Sequence, residues 1–165
     1  MKKIYHTWQD VENQVQEILR QLHLSNWEPD YVVGLTRGGL VPANLISQYL
    51  EVPMETLKVS LRDDNSLPES NLWMAEDAYY GKKILIVDDI NDSGATLKWI
   101  QENWEEFHPS KPEPWSTIWN STVRFAVLVN NEASEYKRID YSSVDINKAE
   151  EDSWIVFPWE DWWKH

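Results

Sequence analysis

An α/β fold, with a parallel sheet flanked by helices, is what this sequence predicts, on two patterns and a length. Strand-length apolar runs alternate with turns and with helix-length segments of 3.6-residue periodicity. The runs are solidly apolar, the composition of strands buried on both faces. The chain has 165 residues, enough for one domain that buries roughly 70% of its unfolded surface on folding.

Met1-Lys2-Lys3-Ile4 reads as a lead into a first, polar helix. Thr7, with an acid three residues on at Asp10, is the N-cap signal of that helix. Val11, Val15, Ile18, Leu19 and Leu22 then recur at helical spacing and carry it to about residue 23. Pro29-Asp30 breaks the chain before a buried strand at residues 31–35, and Thr36-Arg37-Gly38-Gly39 is a tight turn. Pro42 suits the first turn of a helix running over residues 43–50. Residues 56–59 read as a second strand. Residues 60–80, rich in Asp, Asn and Ser around Pro68, read mainly as a long loop. Residues 84–87 are the clearest buried strand, ending in Asp88-Asp89; a loop over 90–94 then opens a helix from Ala95 to about Phe107. Residues 108–114 form a proline-rich connector, residues 125–129 another buried strand, and residues 154–160 a strand followed by a turn. In an open parallel sheet ligands bind beyond the C-terminal strand ends, so the chemistry is expected in the loops after Leu35, Val59, Val87 and Val129.

Composition narrows the function classes. Lys and Arg number 15 against 28 Asp and Glu, a formal net charge of −13, which argues against general nucleic-acid binding and against docking on anionic lipid. With no cysteine there is no disulfide, thiolate metal site or Cys nucleophile. No apolar run approaches the ~20 residues of a membrane helix, so a soluble, cytoplasmic domain is expected. His6, His23, His108 and His165 are scattered without ligand spacing, and no zinc, P-loop or Ser–His–Asp pattern competes. The 11 tryptophans are too many for one core; some belong on the surface, in an interface or against a flat ligand, and a homodimer or homotetramer is expected from them.

The segment that carries chemistry is Ile84-Leu85-Ile86-Val87-Asp88-Asp89-Ile90-Asn91-Asp92-Ser93-Gly94-Ala95-Thr96. A buried strand delivers two adjacent carboxylates to its end, and the loop then enters a helix N-terminus. Backbone N–H groups of Asp92, Ser93, Gly94, Ala95 and Thr96, with two hydroxyls, make a nest for a phosphate dianion, and Gly94 permits close approach. Asp88 and Asp89 suit sugar hydroxyls or Mg²⁺ instead. Nest and acids together describe a ribose 5-phosphate. Taken alone, an acidic pair after a strand is most often a solvated turn. The strand also resembles the opening strand of a response-regulator receiver, but here it begins at residue 84.

The whole segment resembles the phosphoribosyl-diphosphate motif of the type I phosphoribosyltransferases. Val32-Val33-Gly34-Leu35-Thr36-Arg37-Gly38-Gly39-Leu40-Val41-Pro42 is similar to that family's pyrophosphate loop, in which N–H groups and a guanidinium fork meet a diphosphate. Trp154-Ile155-Val156-Phe157-Pro158-Trp159 resembles the C-terminal hood of the purine enzymes of the family. The resemblance implies the type I phosphoribosyltransferase fold in a single domain over residues 1–165. Its core lies at about 27–130 and a small hood at about 131–165, with an N-terminal contribution. It implies Mg²⁺-dependent transfer of a phosphoribosyl group from its diphosphate to a purine base, a 6-oxopurine first. Asp88 and Asp89 would hold the ribose, with Asp89 on the metal, and Asp92 to Thr96 the 5-phosphate. Thr36, Arg37 and Gly38 would hold pyrophosphate, with a cis peptide at Thr36–Arg37. Trp154 would stack on the base, Ile155 read its edge through a carbonyl, and Asp92 act as general acid and base. No nucleic acid or membrane partner is implied.

Two departures stand out. Relatives acting on 6-oxopurines place a Lys just after the penultimate core strand, where this chain has Asn130-Asn131; the two amides take over the base-binding expectation. The mobile loop of relatives carries Ser-Tyr, where this chain has Ser60-Leu61-Arg62, and Arg62 is more readily an exposed surface residue than a pyrophosphate ligand. Trp99 and Trp104 read as core or interface residues, and the stretch from Pro109 to Trp119 has no counterpart. The alternatives are a regulator that binds nucleotide on the same fold without catalysis, and transfer to a different base.

Overall fold

The computed structural model describes residues 1–59 and 72–164. A five-stranded, all-parallel sheet forms its centre, in the order β3-β2-β4-β5-β6. The strands are β2 (Tyr31–Thr36), β3 (Met54–Lys58), β4 (Ile84–Asn91), β5 (Val123–Asn131) and β6 (Tyr141–Ile146). The helices are α1 (Trp8–Ser25), α2 (Leu40–Leu50), α3 (Leu72–Tyr79) and α4 (Ala95–Glu105). A separate two-stranded parallel sheet pairs β1 (Lys2–Tyr5) with β7 (Ser153–Val156), tying the N-terminus to the C-terminal segment.

Strand alternation divides the core. Tyr31, Val33 and Leu35 of β2 and Ile84 and Ile86 of β4 face one side, against α3 and α4. Val32, Leu85, Val87, Ala126 and Leu128 face the other, against α1 and α2. α1 keeps the predicted capping box: the Asp10 N–H donates to Thr7 Oγ1 at 3.0 Å, and the Thr7 N–H donates to Asp10 Oδ2 at 2.7 Å. Its stripe Val11, Val15, Ile18 and Leu22 is buried.

The structure differs from the sequence reading at several places. Residues 72–79 are helix, not loop, because Met74, Ala75 and Ala78 bury one face of a short helix of about two turns against the core. Ser60, Leu61 and Arg62 lie outside the described residues. β1 replaces the expected polar lead-in: two lysines precede Ile4, and the strand is stabilised by pairing with a segment some 150 residues away, which no local pattern signals. β6 was equally illegible, being a half-exposed edge strand of Tyr, Ser and Asp. The 109–119 stretch forms a 3₁₀ turn at Glu113–Thr117 that drives Trp115 and Trp119 into the core. Trp119 lies between Trp115 and Phe125, both rings stacked on it at 5.5 and 5.9 Å, with Trp104 at 5.9 Å. Its Nε1–H donates to Glu105 at 2.9 Å. Tryptophan thus fills one face of the sheet, while Trp8, Trp73, Trp162 and Trp163 are exposed.

Candidate active site

The C-terminal ends of β2 and β4 and the N-terminus of α4 open on a cavity of about 500 Å³, roofed by the β7 segment. Thr36, Asp88, Asp89, Asp92 to Thr96, Trp154 and Ile155 all line it, so segments more than fifty residues apart in sequence meet at one place. Arg37 is exposed beside it. The Thr36–Arg37 peptide is cis.

Asp88 and Asp89 stand on β4 itself, which runs on to Asn91. Each carboxylate accepts the next backbone N–H: Asp88 Oδ1 from Asp89 at 2.9 Å, and Asp89 Oδ1 from Ile90 at 2.8 Å. Both are half-buried by exposure, but the space they meet is walled by protein. Burial, then the neighbouring Asp89 charge, pushes the Asp88 carboxyl well above the usual carboxylate range. Burial also raises Asp89, helped by Glu160, against the hydrogen bonds that favour its ionised form. Gly38 is required beneath Asp89: a Cβ there would lie 2.2 Å from Oδ2 and 2.7 Å from Oδ1. Two carboxyls with raised pKa values are short of positive charge, and their oxygen atoms suit Mg²⁺. That ion takes one or two carboxylates and leaves its other positions to water and substrate phosphates. Among the described residues no group of three or more His, Cys, Asp or Glu could cage a metal, so the donor set fits an ion shared with substrate.

The nest follows. Gly94 caps α4 in the left-handed region (φ 89°) and makes no side-chain cap, leaving first-turn N–H groups facing the cavity, with Ala95 N–H held by Ser93 Oγ at 3.2 Å. The loop is moulded against residues 134–136: a Cβ on Gly94 would lie 2.6 Å from Ser134 Oγ and from Tyr136 N. Buried Asn91 braces it, donating to Asn130 Oδ1 and the Tyr136 carbonyl and accepting from Ser134 Oγ at 2.9 Å.

Asn130 and Asn131 are not brought to the cavity. Asn130 Oδ1 faces Asn91. Asn131 is buried, and both ends of its amide are engaged: Nδ2 donates to the Asp92 carbonyl at 3.0 Å, while Oδ1 accepts from Ala133 N–H at 3.1 Å and Lys148 N–H at 3.0 Å. The side chain that does reach the cavity is Lys148, from the turn after β6. Its Nζ lies 3.0 Å from Asp92 Oδ1 and 5.3 Å from the Trp154 ring centroid. Lys148, Glu160 and Asn91 were missed by sequence reasoning. Lys148 sits in an acidic tail whose local pattern reads as solvated surface; only the fold sets it opposite Asp92.

Known proteins similar to this chain place it in a family. The family described as the phosphoribosyl transferase domain matches residues 1–161. The chain belongs to that family, and it is a phosphoribosyltransferase of the type I fold. It is 30% identical over 133 residues to a xanthine-guanine phosphoribosyltransferase of Cereibacter sphaeroides, covering 78% of this chain and 68% of the relative. It is 22% identical over 189 residues to xanthine phosphoribosyltransferase 1 of Saccharomyces cerevisiae, covering 96% and 90%. Among solved structures, a purine phosphoribosyltransferase from Pyrococcus horikoshii superposes with a TM-score of 0.70 at 25% identity, covering 98% and 96%. Among the described residues, no helix is long and apolar enough to cross a membrane.

Proposed function

We propose that the protein transfers a 5-phosphoribosyl group from its 1-diphosphate to a 6-oxopurine, giving the nucleoside monophosphate and pyrophosphate, in the salvage of free bases. One observation carries the reading: a paired-carboxylate strand end, a phosphate nest and a tryptophan hood line a single cavity. The Cereibacter relative, named for xanthine and guanine, and the yeast relative, named for xanthine, support the choice of base.

In this mechanism the nest at Asp92 to Thr96 anchors the 5-phosphate through N–H groups and hydroxyls. Asp88 and Asp89 accept from the ribose hydroxyls, fixing C1′ beneath the hood. Thr36, Arg37 and Gly38 receive the pyrophosphate, the guanidinium neutralising charge that builds as it departs. Mg²⁺, when bound at Asp89, adds positive charge to the diphosphate. Trp154 stacks on the base, Ile155 accepts from its edge, and Asp92 takes the N7 proton as the glycosidic bond forms at N9. The exposed tryptophans support assembly as a homodimer or homotetramer. The test is product analysis with Mg²⁺, phosphoribosyl diphosphate and hypoxanthine, guanine, xanthine, adenine or uracil in turn. A 6-oxopurine nucleotide with equimolar pyrophosphate is expected. Binding of the diphosphate sugar without product from any base would replace this reading with a nucleotide-sensing regulator.

A further inference from the structure

A second cavity, of about 520 Å³, opens beside the β1–β7 sheet and shares no lining residue with the first. Tyr5, His6 and Trp8 wall it from the end of β1 and the start of α1, and Pro158, Trp159 and Trp162 from the turns after β7. Its size is that of a small-molecule site. Phe157 stacks on Trp159 at 5.0 Å and 2°, which covers one face of that indole and leaves the other for the cavity. Trp8 stands 6.0 Å from Trp159, tilted by 57°. The two rings therefore make a corner, which suits a rounded group better than a flat ring seeking parallel faces.

The electrostatics of the corner are one-sided. Ring faces carry negative potential, and three other tryptophans meet cations of the chain: Trp27 under Arg124 at 4.7 Å, Trp154 under Lys148 at 5.3 Å and Trp163 under Lys164 at 5.7 Å. Among the described residues no Lys or Arg lies over Trp8, Trp159 or Trp162. Asp161, beside Trp162, holds Lys164 at 3.7 Å, on the Trp163 side. Asp10 acts on His6 through its charge, answers the positive end of α1 and makes no ion pair with Lys or Arg among the described residues. Burial lowers the pKa of His6, so the imidazole adds no positive charge at neutral pH.

We propose that this aromatic corner binds a small organic cation, a fully methylated ammonium group. Such a group is round, apolar outside and positively charged without an N–H to satisfy, so ring faces hold it where hydrogen-bond acceptors are scarce. Two polar side chains of the lining are already engaged, Thr7 Oγ1 by the Asp10 N–H at 3.0 Å and His6 Nδ1 by Gln14 at 3.0 Å. A plain ammonium or guanidinium would bring donors that these groups cannot meet. The net charge of −13 opposes approach to an anionic membrane, which makes a free small molecule the source.

The experiment titrates choline into the full chain by calorimetry, beside the neutral alcohol in which carbon replaces its nitrogen. Choline is expected to bind roughly five- to thirtyfold more tightly, the contribution of two or more ring faces. Trp8 and Trp162 are 57% and 67% exposed, so Trp8→Leu and Trp162→Leu should keep the urea midpoint. Each should lower choline affinity by about threefold or more and leave the alcohol within about twofold, while Trp8→Phe, which keeps a ring face, retains most of the choline affinity. Equal affinity for choline and the alcohol within about twofold, or no saturable binding below about 10 mM, overturns the proposal. Binding to phosphatidylcholine vesicles without binding of free choline also overturns it and moves the source to a membrane. An oligomer that falls to monomer in both leucine variants overturns it as well, giving this face to a second copy of the chain.

Discussion

Replacing Asn131 by Ala tests whether a single buried amide holds the Asp92 loop and the Lys148 turn together. Asn131 is 6% exposed and makes three hydrogen bonds to backbone groups, at 3.0, 3.1 and 3.0 Å. At about 0.5–1.5 kcal/mol net for each, the loss is roughly 1.5–4.5 kcal/mol, centred near 3. For a chain of this length that lowers Tm by roughly 6–12 °C. The same change frees the Lys148 turn from the Asp92 loop, so affinity for GMP should fall along with stability, although Asn131 is not among the residues lining the cavity. Asn130→Ala is the control: it removes one hydrogen bond, to Asn91, with no link to Lys148. It is expected to cost about 1 kcal/mol and to keep the affinity for GMP. Urea unfolding and nucleotide titration read both effects. A change below about 0.5 kcal/mol in Asn131→Ala, or a stability loss with unaltered GMP affinity, would show that the amide does not position these two turns.

Two further perturbations address other parts of the molecule. Gly38→Ala sets a Cβ against both Asp89 oxygens and forces that short side chain off its rotamer, at a stability cost of about 0.5–1.5 kcal/mol. Binding of phosphoribosyl diphosphate with Mg²⁺ should weaken tenfold or more by calorimetry, and unchanged affinity would remove Asp89 from the ligand set. His6 is half-buried, lies edge-on to Phe157 at 5.5 Å and pairs with Gln14; burial lowers its pKa below 6.5 against the opposing pull of Asp10. The unfolded chain therefore binds the proton more readily, so the contribution is complete above pH 6.5 and is lost as pH falls from there through the depressed folded value. The slope of urea stability over that window should flatten in His6→Asn, and an identical slope in the two proteins would place the titration elsewhere.

The candidate site was legible where its residues are contiguous. Asp88 to Thr96 lie on one strand, one loop and one helix start, so local chemistry and spacing suffice to place acids beside a nest. The turn after β2 was readable for the same reason, with the Gly38 requirement visible only once Asp89 lay over it. Asn130 and Asn131 show the opposite case. Their position at the end of β5 pointed to the base, yet alternation along the strand and the neighbouring turns directed both amides into hydrogen bonds behind the cavity wall.

What the sequence by itself determined is the α/β class, the strands of the sheet centre and the strand–loop–helix segment from Asp88 to Thr96 that lines the cavity, because burial on both faces and strand–loop–helix continuity are properties of short stretches of chain. Only the tertiary structure decided the pairing of β1 with β7, the edge strand β6, the tryptophans stacked under the sheet and the meeting of Lys148 with Asp92. Each of these depends on contacts between residues tens of positions apart. The free energy that selects such contacts lies in the packed chain as a whole, where a half-polar strand is stabilised by its partner and a surface-type lysine by the carboxylate it faces.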